Sequence, residues 1–439
     1  MDINALYLRC KFWIKDFLYG SPIGKPYKEI KYIQEHSYEE GLLIRQKALH
    51  KLLEFAKSNT VFYKNIEGNN LAAFPIMNKL DLIKHYDEIC IKASKIPNQK
   101  GTIHIQTTSG STGTPLRIPQ DTQKRLRRIA ELKYFGKISG FKTHEKLIHL
   151  RTWNKWQQKT PKQIKTENII PFDIANLKEE RLKELCELII SSKAVCLRGY
   201  ASTLGILAEY AKKNNYTFPH LKLAIAGSEA LEDNVRALFK EVMHAEILSQ
   251  YANEECGIMA QEQVPTLSTE NLMYWNNASY FFEILKLDSD EPAEYGELGR
   301  IVITDLYNYA FPIIRYDNGD TAIQLPPNEV SNGYPVIGQL FGRRFDLTYN
   351  TKREAIYPLT YGRIIKHYDN IIQWQFIQNG EKEYVLKVIM NDNKSALPNI
   401  VSELKAFLGE DAQISVQRVN EIPVLASGKR KPVVNNWHN

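Results

Sequence analysis

Hydroxyls and glycines alternate through Thr107, Thr108, Ser109, Gly110, Ser111, Thr112, Gly113, Thr114 and Pro115. Such a stretch offers backbone N–H groups that no side chain obstructs, together with hydroxyl donors. Polyphosphate is the natural ligand for that array. It is not a Walker A loop, because no Gly-Lys-Ser/Thr closes it. It also lacks Gly-x-Gly-x-x-Gly, so it is not a dinucleotide fingerprint. By composition alone a flexible linker fits it as well. Its surroundings argue against a linker: residues 101–106 alternate like a strand, and a helix is expected over about 121–138.

The elements that must position this loop follow from periodicity. Leu6, Cys10, Trp13 and Phe17 recur at helical spacing with basic residues between them, so residues 1–20 read as a helix. It either docks on the body or lies as a basic amphipathic helix on a membrane surface. A second helix is expected over 39–59. Further on, helices at about 177–191 and 202–213 alternate with apolar strands at 194–197 and 221–226. That alternation predicts an α/β body with largely parallel sheets. From about 245 strands dominate, at 246–251, 281–287, 299–304 and 311–316. After Gly342 the character shifts to strands near 371–377, 383–390 and 412–419 and a helix near 395–408. The chain therefore divides into a large α/β domain, 1–341, and a small α+β domain, 342–439, that is large enough to fold alone.

Composition bounds the class. The chain has 439 residues, 43% apolar and 24% charged, which is ordinary for a globular protein and excludes disorder as the main state. No run of about 18 apolar residues occurs, so no transmembrane segment is expected. Cysteines at 10, 90, 186, 196 and 256 are too sparse and irregular for a disulfide framework or a structural zinc site. Arg9, Lys11, Lys15 and Asp16 interrupt any signal-peptide core, so the cytoplasm is the expected compartment. The net charge is +7, from 57 basic and 50 acidic residues. Its densest cluster, Lys124, Arg125, Leu126, Arg127 and Arg128, is spread by helical spacing over several faces, so no nucleic-acid partner is expected.

The 107–115 stretch resembles the phosphate loop of adenylate-forming enzymes, the superfamily of acyl-CoA synthetases, luciferases and peptide-synthetase adenylation domains. Five further segments agree in order. Residues 226–231 (Ala-Gly-Ser-Glu-Ala-Leu) look like the adenine-contact segment, and 251–255 (Tyr-Ala-Asn-Glu-Glu) like the Tyr-Gly-x-Thr-Glu motif. Residues 315–320 (Arg-Tyr-Asp-Asn-Gly-Asp) resemble the ribose-binding motif. Gly342 and Arg343 begin the hinge, and Ser427-Gly428-Lys429 resembles the C-terminal catalytic-lysine motif. The wording Pro312-Ile-Ile-Arg-Tyr316 and the short N-terminal region are similar to the phenylacetate-CoA ligase and CapK branch, whose CapK-type members are associated with capsular polysaccharide loci.

The resemblance implies a large N-terminal domain that binds ATP and a carboxylic acid, and a small mobile C-terminal domain that closes over them. Thr107, Thr108, Ser109, Gly110, Ser111, Thr112 and Gly113 would hold the β- and γ-phosphates. Ser228, Glu229 and Ala230 would lie along the adenine, with Tyr251 near the adenine and the phosphate ester. Asp320 and Arg343, or its neighbour Arg344, would take the ribose. Glu255 would position Mg2+, a hard cation that prefers oxygen ligands. Lys429, with Lys431 as the other candidate, would bridge the carboxylate and the α-phosphate as a mobile charge. Tyr200, Ala226, Gly227 and Ala252 would wall the acid, although Tyr200 reads equally as a core residue.

Several positions depart from the family pattern. Ala252 replaces a glycine, and Glu254 stands where a Thr or Ser usually bonds the α-phosphate. That carboxylate would repel AMP unless it faces away or binds metal. Phe345 stands at the usual hinge aspartate. Residues 333–342 hold no thiolate, so no zinc is expected. The expected activity is acyl-adenylate formation followed by transfer to the thiol of CoA. Transfer to an amine during surface-glycan assembly is the second reading, and a degenerate nucleotide-binding structural or regulatory protein the third. The acid and the oligomeric state stay open, a homodimer included.

Overall fold

The computed structural model describes residues 2–108, 116–153, 159–264, 271–343, 348–356, 358–365, 367–368, 371–390, 397–422 and 432–437. The chain forms two compact units. The first collects 1–231, 235–318 and 322–339; the second collects 340–439 with the short pieces 232–234 and 319–321.

In the first unit, helices α1 (Ile3–Leu18), α2 (Gly24–Glu35), α3 (Tyr38–Asn59), α4 (Lys79–Lys84) and α5 (Tyr86–Ile89) precede the first strand. α3 starts at a capping box in which Ser37 and Glu40 satisfy each other's backbone N–H groups. β1 (His104–Thr107) and β2 (Arg117–Gln120) pair antiparallel, and α6 (Thr122–Ile138) follows. Then β3 (Leu147–Arg151), α7 (Pro161–Glu167), β4 (Ile169–Asp173), α8 (Glu179–Ser191), β5 (Cys196–Tyr200), α9 (Ala201–Lys213), β6 (Leu223–Gly227), α10 (Asp233–Met243) and β7 (Glu246–Asn253) alternate. Strands β4, β3, β5, β6 and β7 are parallel neighbours in that order. The sheet continues antiparallel through β8 (Gly257–Glu262), β9 (Met273–Trp275) and β13 (Val336–Arg343), then through β12 (Tyr316–Leu325) to the antiparallel pair β11 (Leu298–Asp305) and β10 (Tyr280–Leu285).

Side chains alternate between the two faces of this sheet. Ile148, Leu150, Leu197, Ala224 and Ala226 join the core formed with α8, α9 and α10. Leu147, Cys196, Leu223, Ile225 and Leu248 form a smaller patch on the opposite face.

The expected strand at 311–316 is a correction: regular pairing begins only at Tyr316. Pro312 has no N–H to give a ladder. Arg315 takes a left-handed φ of 47°. Its guanidinium accepts no ladder role either. It donates to both oxygens of Glu283, at 3.0 and 2.9 Å, and to the Phe74 carbonyl at 3.1 Å. Three segments are thereby knotted around one half-turn of irregular chain.

α6 resolves the basic cluster. Asp121 caps the helix, accepting from the Lys124 N–H at 2.8 Å, and its other oxygen accepts from Tyr309 and Ala310. Lys124 and Arg127 point inward. The Lys124 ammonium pairs with Asp305 at 2.6 Å with both side chains fully buried, and it donates to Tyr280 Oη at 3.1 Å. Arg127 donates to Ser279 Oγ and Glu29 at 2.8 Å each. These two cations serve the fold. Lys124→Met should therefore strand the Asp305 carboxylate and cost about 3–5 kcal/mol, whereas a Lys124→Met, Asp305→Leu double variant should recover most of the loss. Urea unfolding of the two variants checks this; equal losses would mean that packing at position 124, not charge, holds the site.

The second unit pairs β14 (Thr348–Tyr349) with β15 (Ala355–Ile356), and builds a four-stranded sheet from β16 (Ile371–Gln378), β17 (Glu383–Met390), β18 (Gln413–Arg418) and β19 (Val433–Asn435) in the order β18-β17-β16-β19. Helices α11 (Pro358–Ile365) and α12 (Leu397–Leu408) cover it. α12 places Ile400, Leu404 and Leu408 on one stripe at helical spacing, and all three are buried. Tyr361 stacks on Phe376 with ring centroids 4.0 Å apart. No helix among the described residues is long and apolar enough to cross a membrane.

Candidate functional site

The base of the hydroxyl-glycine loop is a hairpin. Thr107 pairs with Arg117, and the next rung is closed by Thr108: its N–H donates to the Leu116 carbonyl at 3.0 Å, and its hydroxyl accepts from the Leu116 N–H at 3.0 Å. The expected passage from strand through loop to helix thus includes a returning strand, β2, before Asp121 starts α6. Ser109, Gly110, Ser111, Thr112 and Gly113 lie outside the described residues, as do Lys429 and Lys431.

The turn between β7 and β8 carries Glu254 and Glu255, both half-buried. Glu254 does not stand as an isolated anion. Gln106, on β1, donates from Nε2 to its carboxylate at 2.7 Å. Arg128, on α6, donates to its carbonyl at 3.2 Å. The neighbouring Arg125 guanidinium is pulled down in pKa chiefly by burial and by Arg128, and Glu254 opposes both. The carboxylate is therefore tethered by Gln106 and lies in the field of Arg125, and the same tether ties the loop base to the Glu255 turn. Glu255 fits a divalent cation by the chemistry of its carboxylate and by this adjacency.

Tyr251, at a bulge of β7 before exposed Ala252, is buried, and its hydroxyl accepts from Asn318 Nδ2. That bond joins the Tyr251 segment to the 315–320 motif. Asp320 follows two residues later on β12 and is half-buried; Asp317 pairs instead with Arg300 at 3.0 Å. Arg343 closes β13.

At the end of β6, Gly227 lies opposite Tyr200 in register and opposite Gln250 on the other side. A side chain built on Gly227 would meet the Gln250 carbonyl at 3.6 Å, so the position is open rather than clashing. Ser228 turns the chain with φ 67° and is exposed, as is Ala230. Glu229 accepts from the Ser202 N–H at 3.0 Å, which caps the first turn of α9. Ala226 is a correction to the expected acid pocket. Its methyl is fully buried in the core on the far face of the sheet, so it cannot wall a ligand. Tyr200 is buried, and its phenol is raised in pKa by burial first; Arg151 opposes this, and Glu229 and Glu254 add to it.

The predicted positions Thr107, Thr108, Tyr200, Gly227, Tyr251 and Glu255 thus lie at strand ends and turns of one sheet and its attached hairpin. Gln106 and Asn318 carry no signal of a site role in the sequence, and Arg125 and Arg128 stand out there only as members of the basic cluster. The i, i+3 spacing of Arg125 and Arg128 was the available signal.

With this geometry in hand, comparison with known proteins is specific. Residues 348–436 match the family model of the CapK C-terminal domain. The chain is 23% identical over 427 residues to Protein CapK of Staphylococcus aureus, covering 92% of this chain and 89% of that one. It is similar in fold to 2-hydroxyisobutyryl-CoA ligase in the postadenylation state with 2-HIB-AMP, with a TM-score of 0.74 at 17% identity, over 92% of this chain and 91% of that one. It is also similar to ATP-bound MatB from Rhodopseudomonas palustris, with a TM-score of 0.54 at 14% identity, over 74% and 66% of the two chains. The chain therefore has the fold of the adenylate-forming ligases, and its residues 348–436 match the family model of the CapK C-terminal domain.

Proposed function

We propose that this chain is an AMP-forming carboxylate ligase, and that it passes the acyl group from the adenylate to a thiol, most simply that of CoA. The observation that carries the reading is the hydrogen bond from Gln106 to Glu254. It brings the base of the phosphate-type loop to the Glu254–Glu255 turn, at the ends of strands where ligands of open α/β sheets bind.

The chemical problem is repulsion between a carboxylate and a polyphosphate that carries about four negative charges. Donors fixed in advance stabilise charge that develops at the α-phosphate and on the departing pyrophosphate. Residues 109–113 supply N–H and O–H donors to the β- and γ-phosphates, and Thr107 and Thr108 contribute hydroxyls at the base of the loop, the Thr108 N–H being held by Leu116. Gln106 holds the Glu254 carboxylate and the nearby Arg125 opposes its charge, which lessens its repulsion of the nucleotide. Glu255 would hold Mg2+, which supplies charge neutralisation of the phosphates. Tyr251, held by Asn318, walls the nucleotide, and Ser228, Glu229 and Ala230 line the adenine. Asp320 and Arg343 hold the ribose. Lys429 bridges the carboxylate and the α-phosphate.

Asp320→Ala should raise the KM for ATP more than it lowers kcat. The ribose is remote from the reacting phosphorus and contributes mainly uniform binding. Steady-state pyrophosphate release measures both constants. A fall in kcat at unchanged KM would remove Asp320 from the ribose.

A second reading of the final step is transfer to an amine in surface-glycan assembly. Pyrophosphate release from ATP with a panel of acids tests the first step. Product analysis after adding CoA or an amino sugar then separates thioester from amide.

A further inference from the structure

The guanidinium groups of two arginines near the site, Arg151 and Arg198, have no hydrogen-bond or ion-pair partner among the described residues; Arg151 lies only against the Trp153 ring, 5.5 Å from its centroid. β3 and β5 are parallel neighbours with His149 opposite Arg198. Alternation along each strand then puts His149, Arg151, Arg198 and Tyr200 on one face, beyond the apolar patch of Leu147 and Cys196. Arg151 ends β3 and Tyr200 ends β5, the edge at which open α/β sheets take ligands.

Nε of Arg151 and Nε of Arg198 are both shut off from water with no acceptor, and so is the neighbouring Thr152 Oγ1. Among the described residues, no carboxylate pairs with either guanidinium. Burial pulls the Arg198 pKa down, and only the Cys196 thiol acts against it. The surroundings are cationic rather than acidic. The imidazole of His149 is driven far below its ordinary pKa by burial, then by Arg198, Arg151 and Lys159. Lys133 is lowered to about 8, by burial first, with Glu167 opposing and Lys159 and Arg198 adding. Lys159 itself is spent on Glu167, at 2.6 Å.

A guanidinium N–H that is shut off from water with no acceptor is costly, and a ligand anion removes the cost. A guanidinium offers planar paired donors that match carboxylate and phosphate oxygens. Arg151 and Glu254 both act electrostatically on Tyr200, which ends β5 beside the end of β3.

We infer that Arg151 and Arg198 bind a second oxyanion of the acid. The substrates are then acids with two anionic groups, dicarboxylates or phosphorylated carboxylic acids: one carboxylate faces ATP and the other group is held by the two guanidinium groups. Which group is activated rests on the adenylation reading; the oxyanion site does not.

The test uses the full chain, with and without a non-hydrolysable ATP analogue, and measures binding of butanoate, succinate and 3-phosphonopropionate by calorimetry. At least one dianion should bind about tenfold tighter than butanoate in one of the two conditions, the worth of a single charge-assisted hydrogen bond. Succinate against 3-phosphonopropionate then separates carboxylate from phosphoryl recognition. Arg198→Gln and Arg151→Gln should each remove most of that preference. Arg198→Gln should also raise Tm without ligand, because the uncompensated charge is gone, and should lose the further rise that the dianion gives wild type. Binding of all three acids within about twofold, a preference that survives Arg198→Gln, or a fall in Tm on that substitution would overturn the proposal. A dianion preference without ATP-dependent pyrophosphate release would leave the oxyanion site standing and remove the ligase reading alone.

Discussion

Lys429→Ala is expected to abolish adenylate formation from ATP while leaving the conversion of a supplied acyl-adenylate near the wild-type rate. Lys429 lies in the last tenth of the chain, beyond the residues collected in the first compact unit. A group on a separate unit acts on the α-phosphate only when that unit is docked, and rearrangement then frees the site for the acceptor. The first half-reaction builds charge at phosphorus and needs the mobile ammonium. The second breaks the adenylate with the lysine withdrawn. Both half-reactions, measured on one preparation, make the test. Equal loss in both would assign Lys429 to the fold or to the acceptor site. Loss in neither would transfer the role to Lys431.

Glu255→Gln is the second large effect. The substitution keeps the shape, replaces one acceptor oxygen by an amide donor, and removes one negative charge from the β7–β8 turn. If that charge positions Mg2+, adenylation should fall by about 10²–10³ while ATP still binds, the usual worth of one electrostatic stabiliser in a closed site. The defect should ease as Mg2+ is raised, because a weakened ion site refills by mass action. A Glu254→Gln control is informative, since Glu254 is held by Gln106 and lies in the field of Arg125. Unchanged turnover of Glu255→Gln at low Mg2+ would contradict the assignment.

Much of the local architecture was readable from the chain itself. α6 spans 122–138 because a capping aspartate precedes a run with buried positions at helical spacing, and the alternating 383–390 run formed β17 with its even positions buried. Two local readings failed for identifiable reasons. The apolar run at 311–316 has strand composition, but Pro312 and the left-handed Arg315 keep it out of the sheet. β2 was hidden because four residues flanked by a loop and a helix carry too little period to read.

The site was legible in its motifs and not in its wiring. Nothing in the local pattern at Glu254 shows that its carboxylate meets Gln106, 148 positions away, and sequence alone left it as a source of repulsion. The link from Tyr251 to Asn318 spans 67 positions and is equally invisible. Ala226 failed for the opposite reason. Its neighbour Gly227 is in the motif, but alternation along β6 turns the Ala226 methyl into the core. Arg151 and Arg198 belong to no motif, because a guanidinium without a carboxylate partner is a property of the assembled surroundings.

Acid-dependent exchange of labelled pyrophosphate into ATP by the full chain, in the presence of Mg2+, tests the central claim most directly. Exchange requires that an acyl-adenylate form and revert on the protein, and it needs no acceptor. The account predicts exchange that appears only when a suitable acid is added, with dianionic acids tried first, and that is lost in Lys429→Ala. ATP binding by the folded chain with no exchange across mono- and dianionic acids would contradict it and leave a nucleotide-binding protein without ligase chemistry.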